Sequence, residues 1–147
     1  MKENMEKIRE TMTPSIFEVF EKMFYIFLEP LGIRYNEYDM EAAISFDGII
    51  GGDVRILFSR EIVRAMVQNM LGLEGDEITG QDMEDCSKEA VNMVCGNFLG
   101  RLDSTKVFNL STPTFKEGQP ECLESGEDIC RMDFDSDNGM IGVIVKI

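Results

Sequence analysis

Apolar residues along this chain change their period several times, and each change marks an element. Ile16, Val19, Phe20, Met23, Ile26 and Phe27 recur at helical spacing and make one apolar face. Thr13 followed by Pro14 predicts the start of that helix, an N-cap with proline at the first helical position. Pro30 and Gly32 predict its end. Ala42 to Phe46 and about Asp53 to Phe58 read as a hairpin turning at Asp47-Gly48, with Gly51 and Gly52 leaving the start of the second strand open. Ser59 is placed to cap a helix carrying Ile62, Met66, Val67 and Met70, closed by Gly72. A linker from Glu74 to Gly80 precedes the longest helical pattern, Gln81 to about Asp103, with Thr79 or Gly80 near its start.

Beyond Asp103 the period falls to two. Strands are predicted from Lys106 to Leu110, after Pro113, from Asp128 to Phe134 and from Met140 to Ile147. The last two are joined by Asp135-Ser136-Asp137-Asn138-Gly139, a turn rich in residues that accept positive φ. A chain closing on Gly142-Val-Ile-Val-Lys-Ile147 predicts a strand tied into the sheet. This order predicts an α/β fold of the α+β sandwich kind, with a mostly antiparallel sheet and two long helices packed on one face. One domain is expected over residues 1–147, with no low-complexity segment and no short repeat.

Composition narrows the function. Apolar residues make up 44% and charged residues 29%, as in a chain able to bury a core. A net charge of −14 opposes nucleic acid and anionic membrane surfaces as partners. No apolar run reaches the ~20 residues of a bilayer span, and Met1 to Thr11 lacks the apolar stretch of a signal peptide. Cys86, Cys95, Cys122 and Cys130 show no C-x-x-C spacing and are expected to be reduced thiols of a cytoplasmic protein. Histidine is absent, which disfavours zinc and non-haem iron and excludes Ser-His and Cys-His catalysis. Chemistry is left to carboxylates, amides and lysines. Most of the eleven methionines, including Met23, Met66, Met70, Met83 and Met93, fall at helical core spacing.

On a helical wheel, Met83, Cys86, Ala90, Val91, Met93, Val94 and Phe98 form a broad apolar arc. Asp85, Glu89, Asn92, Gly96, Gly100 and Asp103 form the opposite stripe, which makes Glu89 and Asn92 neighbours one turn apart. Each glycine inside a helix costs ~1 kcal/mol relative to alanine. Gly96 and Gly100 lie away from the core, so their expected use is the close approach of a partner's backbone rather than helix–sheet packing. The Glu-x-x-Asn pair alone is unspecific: 17 Glu and 7 Asn among 147 residues yield about one by chance.

The flanking residues carry more. Asp85-x-x-x-Glu89-x-x-Asn92-Met93-x-x-Gly96-Asn97, followed by Ser111-Thr112-Pro113-Thr114, resembles the signature of the CheC/CheX/FliY chemotaxis phosphatases. Gly48-Ile-Ile-Gly51-Gly52-Asp-Val-Arg-Ile-Leu-Phe58-Ser59, leading to Met70-Leu71-Gly72, resembles the CheX branch. The resemblance runs from about Thr13 to the C-terminus. Pro113 follows Asn92 by 21 positions, closer than the family's usual spacing, so a shorter loop is expected. The first helix has Glu18 and Glu21 but no Asn three positions on, leaving one site per chain, as in CheX.

The resemblance implies hydrolysis of the phosphoaspartate on a CheY-like receiver domain, with Asn92 orienting the attacking water and Glu89 pairing with the receiver's lysine. Asp85, Gly96, Gly100 and Asp103 are expected to meet the receiver. No cofactor or metal of the chain's own is expected, Mg²⁺ being supplied by the receiver. A homodimer formed by extending the sheet is implied. The alternative is a non-enzymatic module of the same fold that binds a receiver or flagellar-switch subunit; a small-ligand sensor is a weaker third reading.

Overall fold

The computed structural model describes residues 2–120 and 128–147, and the side chains from residue 5 onward within them. Cys122 therefore lies outside the described residues. Three helices, α1 (Lys2–Phe24), α2 (Arg60–Leu71) and α3 (Gly80–Leu102), pack on one face of a sheet. Its strands are β1 (Glu29–Pro30), β2 (Met40–Asp47), β3 (Gly52–Phe58), β4 (Asn109–Leu110), β5 (Thr114–Glu117), β6 (Ile129–Ser136) and β7 (Gly139–Lys146). They lie in the order β1-β6-β7-β3-β2-β4, with β5 also on β2, and every pairing is antiparallel. The expected α+β arrangement is the one found.

Alternation decides the faces. Met40, Ala42, Ile44 and Phe46 of β2, Val54, Ile56 and Phe58 of β3, and Ile141, Val143 and Val145 of β7 point at the helices and are buried. The opposite face holds a small cluster of Tyr38, Leu57 and Ile144. The β6–β7 hairpin turns in two residues, Asp137 and Asn138, with Gly139 at φ +129° facing the Ser59 hydroxyl.

Four expectations are corrected. First, α1 does not begin at Thr13; it runs through Pro14 from Lys2. Proline in a helix interior costs ~3 kcal/mol, but Ile8 and Met12 are buried upstream of it. Each such burial contributes about 1.5–3 kcal/mol, enough to offset the cost. The Thr13 hydroxyl donates to the Arg9 carbonyl at 2.8 Å, a local bond of the kind that bends helices.

Second, α1 stops at Phe24 rather than at Pro30. Tyr25 takes a left-handed φ of 54°, the Ile26 N–H donates to the Phe20 carbonyl, and the Asn69 amide donates to the Phe24 carbonyl. Phe27 consequently lies outside the helix and is exposed. Third, Ser59 occupies the N-cap of α2 without capping it by its side chain. Its hydroxyl accepts from the Met140 N–H, while Asp39 accepts from the Arg60 N–H at 2.7 Å. Fourth, the strand expected over Lys106–Leu110 shrinks to β4, because β2 offers that segment pairing only at Phe46 and Asp47.

Candidate active site

Helix α3 starts where its local chemistry dictates. The Thr79 hydroxyl accepts from the Asp82 N–H at 3.1 Å and the Asp82 carboxylate accepts from the Thr79 N–H at 3.0 Å, a reciprocal capping box. Met83, Cys86, Ala90, Val91, Val94, Cys95, Phe98 and Leu99 are buried against the sheet and neighbouring helices. Ser87, also buried, satisfies its hydroxyl on the Met83 carbonyl. Met93 departs from the expected arc: it is 41% exposed, at the margin of the outward stripe. Met70 is exposed to the same extent.

Burial on the opposite side keeps Asp85, Glu89, Asn92, Gly96 and Gly100 facing outward. Cβ atoms built on Gly96 and Gly100 meet nothing within 4 Å, so no internal packing demands glycine at either position. Asp103 closes the helix as its C-cap, and its carboxylate accepts from the N–H and hydroxyl of Thr105 at 3.0 and 2.6 Å. Those bonds hold its pKa below the ordinary value. Asp103 is thus engaged in ending the helix.

Pro113 arrives from a different part of the chain. The Ser111 N–H donates to the Ser45 carbonyl and Thr114 pairs with Ala43, so the segment between them zips onto β2 beneath α3. The outcome is a shallow hollow of about 380 Å³ lined by Asp85, Lys88, Glu89, Asn92 and Pro113. Within it, Asp85 accepts from the Gln81 amide at 2.8 Å and Lys88 pairs with Glu84 at 2.9 Å. Among the described residues, neither the Glu89 carboxylate nor the Asn92 amide has a hydrogen-bond partner. Both are half-buried, held on a rigid helix, and free to bond a group brought from outside.

Lys88 also lines the hollow, although the sequence pattern leaves it off the polar stripe. It stands four positions before Asn92, on the flank of the polar stripe, and that spacing was the available signal. On α1, Glu18 accepts from Lys22, Asn97 and Arg101, and these donors hold its pKa down at about 2. The carboxylate therefore ties α1 to α3.

Other chemistries find little support. Burial pushes the Cys86 thiol up to about 11 and the Cys95 thiol up to about 12, and raises that of Cys130. Among the described residues, no group of three or more His, Cys, Asp or Glu side chains is placed to hold a metal. No described helix is long and apolar enough to cross a membrane.

Residues 40–135 match the family described as "Chemotaxis phosphatase CheX". A comparison with curated proteins found no match. Among solved structures, the chain is similar to the chemotaxis protein CheX of Vibrio vulnificus, with a TM-score of 0.81, 24% identity and 95% of each chain covered. It is also similar to CheX of Desulfovibrio desulfuricans, at TM-score 0.78 and 22% identity over 95% of this chain and 97% of that one. A third similar structure is the CheX–CheY–BeF3–Mg²⁺ complex of Borrelia burgdorferi, at TM-score 0.73 and 18% identity over 93% and 95%.

Proposed function

This chain belongs to the CheX family of chemotaxis phosphatases, and from that premise we propose that it hydrolyses the phosphoaspartate of a CheY-type receiver domain. The observation that carries the reading is the pair of uncommitted side chains, Glu89 and Asn92, on an outward helix face. They stand beside Pro113 and in line with two glycines that have open space before them.

In the reaction, water attacks phosphorus in line and the bond to the aspartyl oxygen breaks. Inorganic phosphate leaves, and the receiver's carboxylate is regenerated. The Asn92 amide can accept from and donate to that water, fixing its approach. The Glu89 carboxylate pairs with the receiver's lysine and sets the register and depth of docking. Gly96 and Gly100 admit the receiver's backbone, with Asp85 alongside as a polar contact. Asp103 serves this surface by ending α3. Mg²⁺, contributed by the receiver, neutralises charge on the transferred phosphoryl group. A similar protein from Borrelia burgdorferi was solved with CheY, BeF3 and Mg²⁺, which supports this choice of partner.

A homodimer formed by extending the sheet is part of the same proposal. So is a cytoplasmic location, where such a receiver would be met.

The test is a phosphate-release assay on phosphorylated receivers with the chain at sub-stoichiometric concentration. Asn92→Ala should slow turnover by ~10²-fold with binding retained. Glu89→Ala should act mainly by weakening the complex. Full turnover by the Asn92 variant would sink the mechanism. Binding without any turnover by the wild type would establish the non-enzymatic module instead.

A further inference from the structure

A second cleft lies where the N-terminal half of α1 passes the β1–β6 edge of the sheet. Its volume is about 560 Å³, larger than the hollow beside Asn92. Arg9, Arg34 and Arg131 line it, together with apolar surface from Leu31, Ile33 and Met132. Three basic side chains at one cavity are unexpected in a chain of net charge −14.

The pairing of the arginines sharpens the point. Arg55, Arg60, Arg101 and Arg131 are each held by a carboxylate. Among the described residues, Arg9, Arg34 and Arg64 have no carboxylate partner, and two of these three line this cleft. Asp133 is the one acidic residue in its described lining, and its oxygens are already engaged. They accept from the Arg131 guanidinium at 3.1 Å, from the Tyr38 hydroxyl at 2.7 Å and from the Tyr35 N–H at 3.4 Å. The Arg131–Asp133 pair cancels internally and leaves the positive charge of Arg9 and Arg34. Arg9 and Arg34 are exposed, so their guanidinium donors are open to an anion entering the cleft, which they can bond in a planar, charge-assisted geometry.

The edge of β6 also argues for a small ligand over an added strand. Two of its outward carbonyls already have donors: Leu31 N–H reaches Asp133 at 2.9 Å and the Arg9 guanidinium reaches Arg131 at 3.4 Å. A strand laid along that edge would find its acceptors taken. A compact molecule with an anionic head near the arginines and an apolar body against Leu31, Ile33 and Met132 meets no such obstacle.

We propose that this cleft is a binding site for a small amphipathic anion, a carboxylate or phosphate monoester carrying an apolar group. It is formed by residues apart from Glu89 and Asn92 and does not depend on the phosphatase reading. The two head groups are compared directly with 1-naphthyl phosphate and 1-naphthoate, with neutral 1-naphthalenemethanol as the uncharged control. Amide chemical shifts of the full chain are followed during each titration.

The expected result is saturable shifts centred on Gly32, Arg34 and Arg131, with Gly96 unmoved. At least one anionic probe should bind at least tenfold more tightly than the alcohol. Arg34→Gln, and Arg9→Gln with Arg34→Gln, should weaken the anion at least tenfold and leave the alcohol unchanged. These are exposed positions, and an unaltered amide spectrum without ligand certifies the fold. No saturable binding of either anion, equal affinity for the alcohol, shifts centred elsewhere, or indifference to both substitutions would each overturn the proposal.

Discussion

Replacing Gly96 by glutamine separates what the fold needs from what the docking face needs. A glycine inside a helix costs ~1 kcal/mol against alanine, and glutamine ranks close to alanine. Gly96 lacks a positive φ, and a Cβ there meets nothing within 4 Å. The folded chain can therefore accept the side chain without strain and gain most of that amount. For a chain of this size, ~1 kcal/mol raises Tm by about 2–4 °C. The partner is affected the other way. A glutamine side chain projects from the surface on which the receiver's backbone is proposed to close, one turn beyond Asn92. Loss of even one well-made contact there, ~1.4 kcal/mol, is tenfold in kcat/KM. The assay pairs a thermal melt with phosphate release measured below KM. Higher Tm together with at least tenfold lower kcat/KM is expected. A lower Tm would show that Gly96 is a packing glycine, and unchanged kcat/KM would show that nothing docks on this stripe.

Two further outcomes are expected. Glu18 has a folded pKa of about 2 against an ordinary value of 4.5. Its contribution to stability is thus present above about 4.5 and disappears as pH falls through about 2. Glu18→Gln should lower Tm at pH 7, lose that difference by pH 2, shrink it in high salt, and leave phosphatase activity intact. Equal melts of variant and wild type at pH 7 would refute the assigned contact. Cys86, Cys95 and Cys130 are buried with raised pKa values, so peptide mass spectrometry should find them unlabelled by a thiol reagent at pH 8 until the chain unfolds. Rapid labelling of Cys95 in the native protein would contradict its burial.

Local chemistry determined a good deal of this protein from sequence alone. The polar stripe of α3 follows from its 3.6-residue period, so the outward placement of Glu89, Asn92, Gly96 and Gly100 needed no partner element to settle it. The Thr79 capping box and the two-residue turn before Gly139 are likewise short-range, and both elements lie where the pattern puts them. Tertiary structure decided the rest, because the deciding contacts join residues far apart in the chain. Burial of Ile8 and Met12 overrides the proline that locally marks a helix start. Met93 and Phe27 have core-like spacing, yet nothing packs over them closely enough to cover them. Pro113 comes beside Asn92 only through pairing with β2, whose strand precedes it by some seventy residues. Arg9, Arg34 and Arg131 meet at one cleft for the same reason: sheet order, which no local period encodes, brings their segments together.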